Sequence, residues 1–455
     1  MFLIRRARLD DTATLVKLAK MVHFINLPPD REIISNKILQ SRSCFAKAAG
    51  AVVTPVPEPA PPKVKPGPTG VRASEADRLA PDVGAPPEQL KPAAGHAEGK
   101  GPARGSRSIR RSPAPPSKDR PRPGPRAEPA PASGGSAPVE AKGLSAAKSD
   151  IFMFVLEDTE SSACLGTSQI LAHMGGPGNP NLSFKLSKKE FFSRSLQFGA
   201  THIVATLYLD ESGPSELGGL ILQPSYRNHK AKLGRLLSLV RFHFIALHRG
   251  MFSDRLIAEL MAPISPDGQN LLWEYLGRRF INLTYAEADR FCQYSREFML
   301  ALLPREEIYL TLLPPEARSV IGEVGPETLP ARRMLEKIGF RYKDFVDPFD
   351  GGPHLEALTG EIKLMRDTRT LELGDPIAPA SATRRGIVSR LDPDGEFRAV
   401  HADFHVSEGK VLLTRETISL LGVERGMTLG VTPMESVRDI PRKPPSAPSR
   451  RSSSR

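Results

Sequence analysis

A short basic loop next to a glycine is the stretch of this 455-residue sequence whose residue types best suit a phosphate group. Arg227, Lys230 and Arg235 lie close together in it, and Gly234 stands at the start of a strongly helical pattern. The first N–H groups of a helix have no partner within the helix, and the helix dipole places positive charge there. Glycine permits close backbone approach, and the cations add charge-assisted hydrogen bonds. The loop is therefore a candidate phosphate site, and a basic loop that is merely solvated is the alternative.

Histidines could also transfer a proton, because the imidazole is the side chain that titrates near neutral pH, but a lone histidine is usually structural or exposed. His202, His243 and His354 lie in or beside the segments that the pattern assigns to strands and helices. The three cysteines are far apart and form no CxxC pair. This spacing favours a reducing compartment and predicts neither a disulfide framework nor a metal site.

The elements around the loop predict a sheet that must position these groups. "THIVATLYL" and "LGGLILQP" before the loop, and "RLIAELMA" after the helix, have the composition of strands. In the helix, leucines and other apolar residues from Leu233 to Leu247 recur with steps of three and four, as one buried face requires. The order β-α-α-β-β-β-β-α-β-α-β favours an α/β (α+β) chain with a mixed sheet flanked by helices.

A helix, a glycine and an aromatic strand are predicted at "LPARRMLEKIGFRYK", residues 329–343. A similar piece, "LLWEYLGRRF", occurs at residues 271–280. Two copies of one packing element in a single chain predict an extended or tandem arrangement of the sheet.

The basic character of the chain comes from two segments that are predicted to be disordered. Residues 48–148 contain 16 Lys and Arg against 9 Asp and Glu, and residues 438–455 contain 6 against 1, which together account for the net charge of +12. Between Phe45 and Phe152 there is no aromatic residue, and 21 of the 44 prolines lie there. Such segments bury too little apolar surface to order themselves. The remainder is neutral, so the core is not expected to bind nucleic acid.

These boundaries predict a folded domain made of residues 1–47 and 149–370, which the basic insertion interrupts, and a small β-rich module at 383–437. The sequence has no apolar run of 18 residues, so we expect a cytoplasmic protein without a membrane segment. An adaptor whose proline-rich basic segments bind acidic partners is a further class that the composition permits.

Several long blocks, in order, resemble the bacterial arginine N-succinyltransferase family, which is related to the GNAT acyltransferases. They include "SELGGLILQP", "LLWEYLGRRF", "VIGEV", "PARRMLEKIGFRY" and "DPFDGGPHLE". The resemblance implies a GNAT-like sheet and transfer of succinyl from succinyl-CoA to the α-amine of L-arginine, in arginine catabolism and without a metal. It places the pyrophosphate of coenzyme A at the loop of residues 227–235 and a succinyl-CoA contact at Leu220. A homo- or hetero-oligomer is compatible with it.

One departure from the family concerns the catalytic group. Gly325, in "VGPET", stands where the family has a proton-donating histidine, and glycine cannot transfer a proton. Glu323 is the nearest ionisable residue and becomes the candidate catalytic group. The alternative is a coenzyme A-binding paralogue or regulatory subunit that uses another amine or has no activity.

Overall fold

The computed structural model describes residues 1–21, 27–50, 149–265, 268–292 and 295–436. The predictions of disorder for 48–148 and 438–455 lie outside these ranges, except for residues 48–50. Within the described part of the chain, no helix is long and apolar enough to span a membrane.

The described residues contain both α-helices and β-strands. The α-helices there are α1 (Thr12–Met21), α2 (Arg31–Ala48), α3 (Leu233–Leu247), α4 (Arg278–Phe280), α5 (Tyr285–Cys292), α6 (Glu297–Leu302), α7 (Pro315–Arg318), α8 (Leu329–Lys337), α9 (Lys363–Arg366) and α10 (Arg415–Leu421). The strands are β1 (Phe2–Arg6), β2 (Ile151–Asp158), β3 (Ala163–Leu171), β4 (Asn181–Ser193), β5 (Phe198–Asp210), β6 (Ser215–Leu222), β7 (Arg255–Glu259), β8 (Ile308–Tyr309), β9 (Arg341–Val346), β10 (Pro353–Leu358), β11 (Arg369–Leu373), β12 (Arg384–Leu391), β13 (Phe397–Ser407), β14 (Lys410–Leu413) and β15 (Thr428–Ser436).

The described strands form one mixed sheet in the order β12-β15-β11-β14-β13-β1-β2-β3-β6-β7-β10-β9-β4-β5-β8. Strand β1 pairs antiparallel with β2, so the chain on both sides of the insertion contributes to the same ladder. The sheet is mostly antiparallel, but β6 runs parallel to β7 and β11 runs parallel to β14. The predicted mixed sheet with flanking helices is confirmed.

The C-terminal strands close on themselves, because β12 pairs with both β13 and β15. Together with β11 and β14 they complete a five-strand ring within the described residues. Strand β11 belongs to this ring, although it precedes residue 383, where the sequence predicted the β-rich module to begin. Strand β13 also pairs with β1, so the ring continues into the main sheet.

Helices cover the two faces of the central strands with separate apolar clusters. The apolar stripe of α3 packs against one face, together with Phe152, Phe154 and Leu355. Helices α1 and α2 place Leu15, Ile34 and other apolar side chains against the opposite face. Because successive strand residues point to opposite faces, the residues that alternate with the α3-facing ones belong to the side of α1 and α2.

The predictions for the two helix-glycine segments differ in their outcome. At the second, α8 ends near Gly339, whose φ of +118° favours glycine, and the chain enters β9, as predicted. At the first, a π-helical turn (Trp273–Gly277) leads into α4, and the next regular element is α5 rather than a strand. The sheet is therefore extended by other strands, and the described residues contain no tandem second sheet.

Candidate active site

The predicted phosphate loop lies between the end of β6 and the start of α3. Lys232 adopts a left-handed conformation with φ of +51°, which turns the chain into the helix, and no side chain caps the first turn of α3. Gly234 has open space around it, since an added Cβ would contact only Leu222 Cδ2 at 3.6 Å. The first N–H groups of a 15-residue helix therefore begin beside the four predicted residues Arg227, Lys230, Gly234 and Arg235.

Two of the cations in this loop form ion pairs with carboxylates. Arg227 Nη2 lies 3.2 Å from Glu327 Oε2, and Arg235 Nη1 donates a 2.7 Å hydrogen bond to Glu435 Oε1. The hydrogen bond from Arg235 lowers the pKa of Glu435. Lys230 is exposed. An anionic ligand at the helix terminus would therefore compete with these carboxylates for the two guanidinium groups.

Strands β6 and β7 separate soon after they start. Their parallel register includes only Ser215 with Leu256 and Glu216 with Ile257. Beyond this, the register of β6 against β3 shifts, and Gly219 has φ of +57°. Leu220 follows this irregularity, is half-buried and packs against the apolar cluster of α3. We call the region between the ends of β6 and β7 that do not pair with each other the cleft; the end of β6 lies beside α3, since Leu222 Cδ2 is the nearest atom to a Cβ added at Gly234.

Gly325 lies at the end of this cleft that follows β7. Its N–H donates to the carbonyl oxygen of Met261 at 3.1 Å, and it is buried. Its φ is not positive, and an added Cβ would meet Ala262 O at 3.5 Å, an ordinary contact distance. Glu323 is exposed on the same loop. Glu327, the partner of Arg227, connects this loop with the basic loop.

Of the three candidate histidines, His354 lies among carboxylates. It is 8% exposed, its Nε2 is 3.7 Å from Glu259 Oε1 and 4.0 Å from Asp347 Oδ2, and no described residue hydrogen-bonds to that nitrogen. Burial lowers the pKa of His354, but the charges of Glu259 and Asp347 outweigh it, so the net shift is upward. Proton exchange at this imidazole is thereby coupled to two carboxylates.

The other two histidines have polar partners of a different kind. His243 is fully buried and contacts Thr432 Oγ1 and Ser389 Oγ, each at 2.6 Å, and burial lowers its pKa to about 3. These contacts connect α3 with β12 and β15. His202 Nδ1 lies 2.8 Å from Thr311 Oγ1 at the far end of the sheet. Both arrangements are those of structural histidines.

Further carboxyl groups share the surroundings of His354. Burial and the charge of Glu259 raise the pKa of Glu216 to about 7. Burial and the charge of Asp347 raise the pKa of Asp350 to about 8. Asp350 also accepts hydrogen bonds from the N–H groups of Ala262 and Gly352, at 3.0 and 2.7 Å. Burial therefore shifts the pKa of these two carboxyl groups upward, towards neutral pH.

The position of Glu259 is fixed by a hydrogen-bonded chain. Asn181 Nδ2 donates to Glu259 Oε1 at 3.1 Å, and Arg296 Nη1 donates to Asn181 Oδ1 at 2.8 Å. We call Glu216, Glu259, Asp347 and His354 the polar cluster. The sequence prediction did not find its carboxylates, although a glutamate inside the apolar strand "RLIAELMA" is a signal that could have indicated Glu259.

Comparison with known proteins gives one consistent family. The family model described as arginine N-succinyltransferase beta subunit matches residues 136–364, about half of the chain. This range contains the loop of residues 227–235, Glu323 and the whole polar cluster.

Curated relatives and a solved structure agree with that match. An arginine N-succinyltransferase of Yersinia enterocolitica is 38% identical over 280 residues, which are 60% of this chain and 79% of the relative. One from Escherichia coli strain 55989 is 34% identical over 278 residues, with the same coverage of 60% and 79%. The structure of arginine/ornithine succinyltransferase subunit AI from Pseudomonas aeruginosa superposes with a TM-score of 0.62 and 23% identity, covering 95% of this chain and 98% of that one. The chain belongs to the arginine N-succinyltransferase family.

Proposed function

We propose that this protein is an acyltransferase that moves a succinyl group from succinyl-CoA to the α-amine of L-arginine, as a step of arginine catabolism. The observation that carries this proposal is the family match over residues 136–364, the range that contains both the β6–α3 loop and the polar cluster. Membership of the family supports the reaction, and the arrangement of residues supports a division of labour between two sides of the cleft.

The unit formed by β6, α3 and β7 is the proposed binding site for succinyl-CoA, in the manner of a GNAT fold. The uncapped N-terminus of α3 offers N–H donors to the pyrophosphate, next to Arg227, Lys230 and Arg235. Gly234 leaves space for the ligand, because a Cβ added there would contact only Leu222 Cδ2, at 3.6 Å. Leu220 lies on the strand that borders the cleft, so its backbone is the part available to the pantetheine arm. No metal ion has a role in this scheme.

The opposite side of the cleft is the proposed acceptor site. The polar cluster contributes carboxylates, and acidic groups suit a cationic substrate such as arginine. The ammonium group must lose a proton before it attacks the thioester carbonyl, and the tetrahedral oxyanion needs N–H donors. The sequence offers Glu323 as one candidate for this proton transfer, and its carboxylate is exposed on the loop of Gly325.

The domain partition remains part of this proposal. Residues 1–47 and 149–370 would form one acyltransferase domain, since β1 and β2 share a ladder across the insertion. Residues 383–437 would form a C-terminal module, and 48–148 and 438–455 would be disordered basic segments.

The test is a release assay for coenzyme A with purified protein and succinyl-CoA against a panel of amines: arginine, ornithine, lysine and citrulline. We expect arginine to give coenzyme A release and a product that has gained one succinyl group. Calorimetric binding of succinyl-CoA without turnover of any amine would instead support a coenzyme A-binding paralogue. Absence of both binding and turnover would contradict the proposed function.

A further inference from the structure

We propose that His354 accepts the proton that the α-amine loses as it attacks the thioester, with Glu259 and Asp347 as its positioning residues. The inference rests on the proposed transferase function and adds a catalytic residue to it. It assigns the proton transfer to the side of the cleft where the polar cluster lies, rather than to the exposed Glu323.

The first support is the isolation of the imidazole nitrogen. Only 8% of His354 is exposed, and its Nε2 has no hydrogen-bond partner among the described residues. A buried polar atom without a partner is costly, so such atoms in folded proteins are usually associated with a ligand, a water or a function. Its distances of 3.7 and 4.0 Å to Glu259 and Asp347 are too long for hydrogen bonds but leave strong charge coupling.

The second support is the position of His354 within the sheet. In the register of β10 against β7, His354 is directly opposite Glu259. Leu355, the next residue, packs with the α3 cluster, so His354 points to the opposite face. It also lines a small cavity there, together with Asn181, Arg255 and Phe345. The imidazole therefore faces the side of the sheet opposite to α3.

The third support is the connection to the cleft. Leu260, which follows Glu259, donates its N–H to the carbonyl of Pro353 at 3.1 Å. Met261 accepts the hydrogen bond from Gly325, which has no side chain. The short segment after β7 thus hydrogen-bonds both to the strand of His354 and to the loop of Gly325, which joins the surroundings of His354 to that loop.

The proton and electron balance is simple. The amine nitrogen forms a bond to the thioester carbonyl carbon, and the C–S bond breaks to release coenzyme A. Of the two protons that leave the ammonium group, one passes to Nε2 of His354 and the other ends on the departing sulfur. His354 then returns its proton to water. Neutral His354 is required at the start, so activity should rise with pH through its titration.

The charged groups around His354 determine where this titration occurs. The pKa of His354 is raised by the negative charges of Glu259 on β7 and of Asp347 and Asp350, which follow β9. Glu216 on β6 interacts with the charges of Glu259 and His354. Removing one negative charge should therefore lower the pKa of His354. A residue with a purely structural role would not produce this effect on a rate profile.

The experiment compares His354→Gln with His405→Gln, a control at a histidine of β13, in full-length protein. We expect His354→Gln to lower kcat with arginine at neutral pH by at least about 100-fold, the lower end for positioned acid–base catalysis, with unchanged succinyl-CoA affinity. Glu259→Gln should shift the acid limb of the kcat profile to lower pH. If His354→Gln unfolds, His354→Ala with added imidazole provides a second test through recovery of the rate.

The outcomes separate the two proposals. A wild-type protein that turns over no amine contradicts the proposed function and the role of His354 together. An active wild type with undiminished kcat in His354→Gln and an unmoved profile in Glu259→Gln overturns the role of His354 alone. Loss of activity in Glu323→Gln instead would assign the proton transfer to Glu323. Loss of activity with a chelator, and its recovery with Zn²⁺, would show instead that Glu259, Asp347 and His354 bind a metal ion. Their ligand atoms lie within 4.8 Å of one another.

Discussion

The affinity for coenzyme A should depend on Arg227 and Arg235 by an amount that the structure allows us to work out. Each guanidinium that binds the pyrophosphate contributes a charge-assisted contact of roughly 1.5–3 kcal/mol. In the ligand-free protein these groups pair with Glu327 and Glu435, and all four side chains are about a third exposed or more. Exposed pairs contribute only about 0–1 kcal/mol. The binding contact is therefore the larger of the two.

The difference between the two contributions gives the expected effect. Arg227→Ala or Arg235→Ala removes the contact with the ligand and also the weaker pair in the free protein, which leaves a net loss of about 0.5–3 kcal/mol, a range that contains a tenfold change in Kd. Glu327→Gln should have the opposite effect on affinity, because it removes the charged partner of Arg227 and leaves the guanidinium available to the ligand. Binding should tighten by up to about fivefold. Weaker binding in the arginine variant together with tighter binding in the variant of its glutamate partner would identify this contact specifically.

Calorimetric titration of coenzyme A provides the measurement. Arg425→Ala is the matched control, because Arg425 forms a 2.7 Å ion pair with Asp375 in the C-terminal ring, distant in sequence from the loop. We expect unchanged affinity in the control and weaker binding at higher salt in the wild type. Wild-type affinity in both arginine variants at the loop would refute the reasoning and place the ligand elsewhere. Equal weakening of binding in all three arginine variants would show that the effect comes from the change in net charge.

Four further predictions concern catalysis, the insertion and pH. Gly325→His should raise the rate with arginine, since the φ of Gly325 is not positive and an added Cβ would come no closer than 3.5 Å to another atom; a lower rate at unchanged melting temperature would show that the loop has another role. In the same assay, Glu323→Gln should abolish the activity if that carboxylate transfers the proton. Replacing residues 48–148 with a short Gly/Ser linker should leave the melting temperature and coenzyme A affinity nearly unchanged, whereas a loss of several degrees would show that the segment packs on the core. Burial depresses the pKa of His243 to about 3, so the unfolded chain binds more protons between about pH 6.5 and 3 and stability should fall as pH falls through that range; His243→Gln should flatten this part of a thermal unfolding profile, and an unaltered slope would contradict it.

The regular elements around the cleft could be predicted because their signals are local. The apolar stripe that predicts α3, the runs that predict β5, β6 and β7, and the glycine that ends α8 each depend on a few neighbouring residues. The basic loop could be proposed as a phosphate site for the same reason, since its cations and its glycine are adjacent in sequence. Strand β4 was missed because lysines, serines and phenylalanines interrupt its alternation, and its outer half is exposed.

The polar cluster could not be predicted, because its members come from different strands. Glu259 and His354 are 95 residues apart and meet only through the register of β7 against β10. A one-residue slip of that register would move His354 to the face of α3. The sequence also shows no sign that Arg227 pairs with Glu327, since that contact depends on how the loop after residue 320 packs beside the basic loop.

The most direct measurement of the central claim is the steady-state rate of coenzyme A release from succinyl-CoA with arginine and with Nα-acetylarginine. The two compounds share the guanidinium, but only arginine has a free α-amine. The account predicts turnover of arginine to a product succinylated on the α-nitrogen, and none of the acetylated compound. Equal turnover of both, or release of coenzyme A that does not depend on arginine, would contradict it.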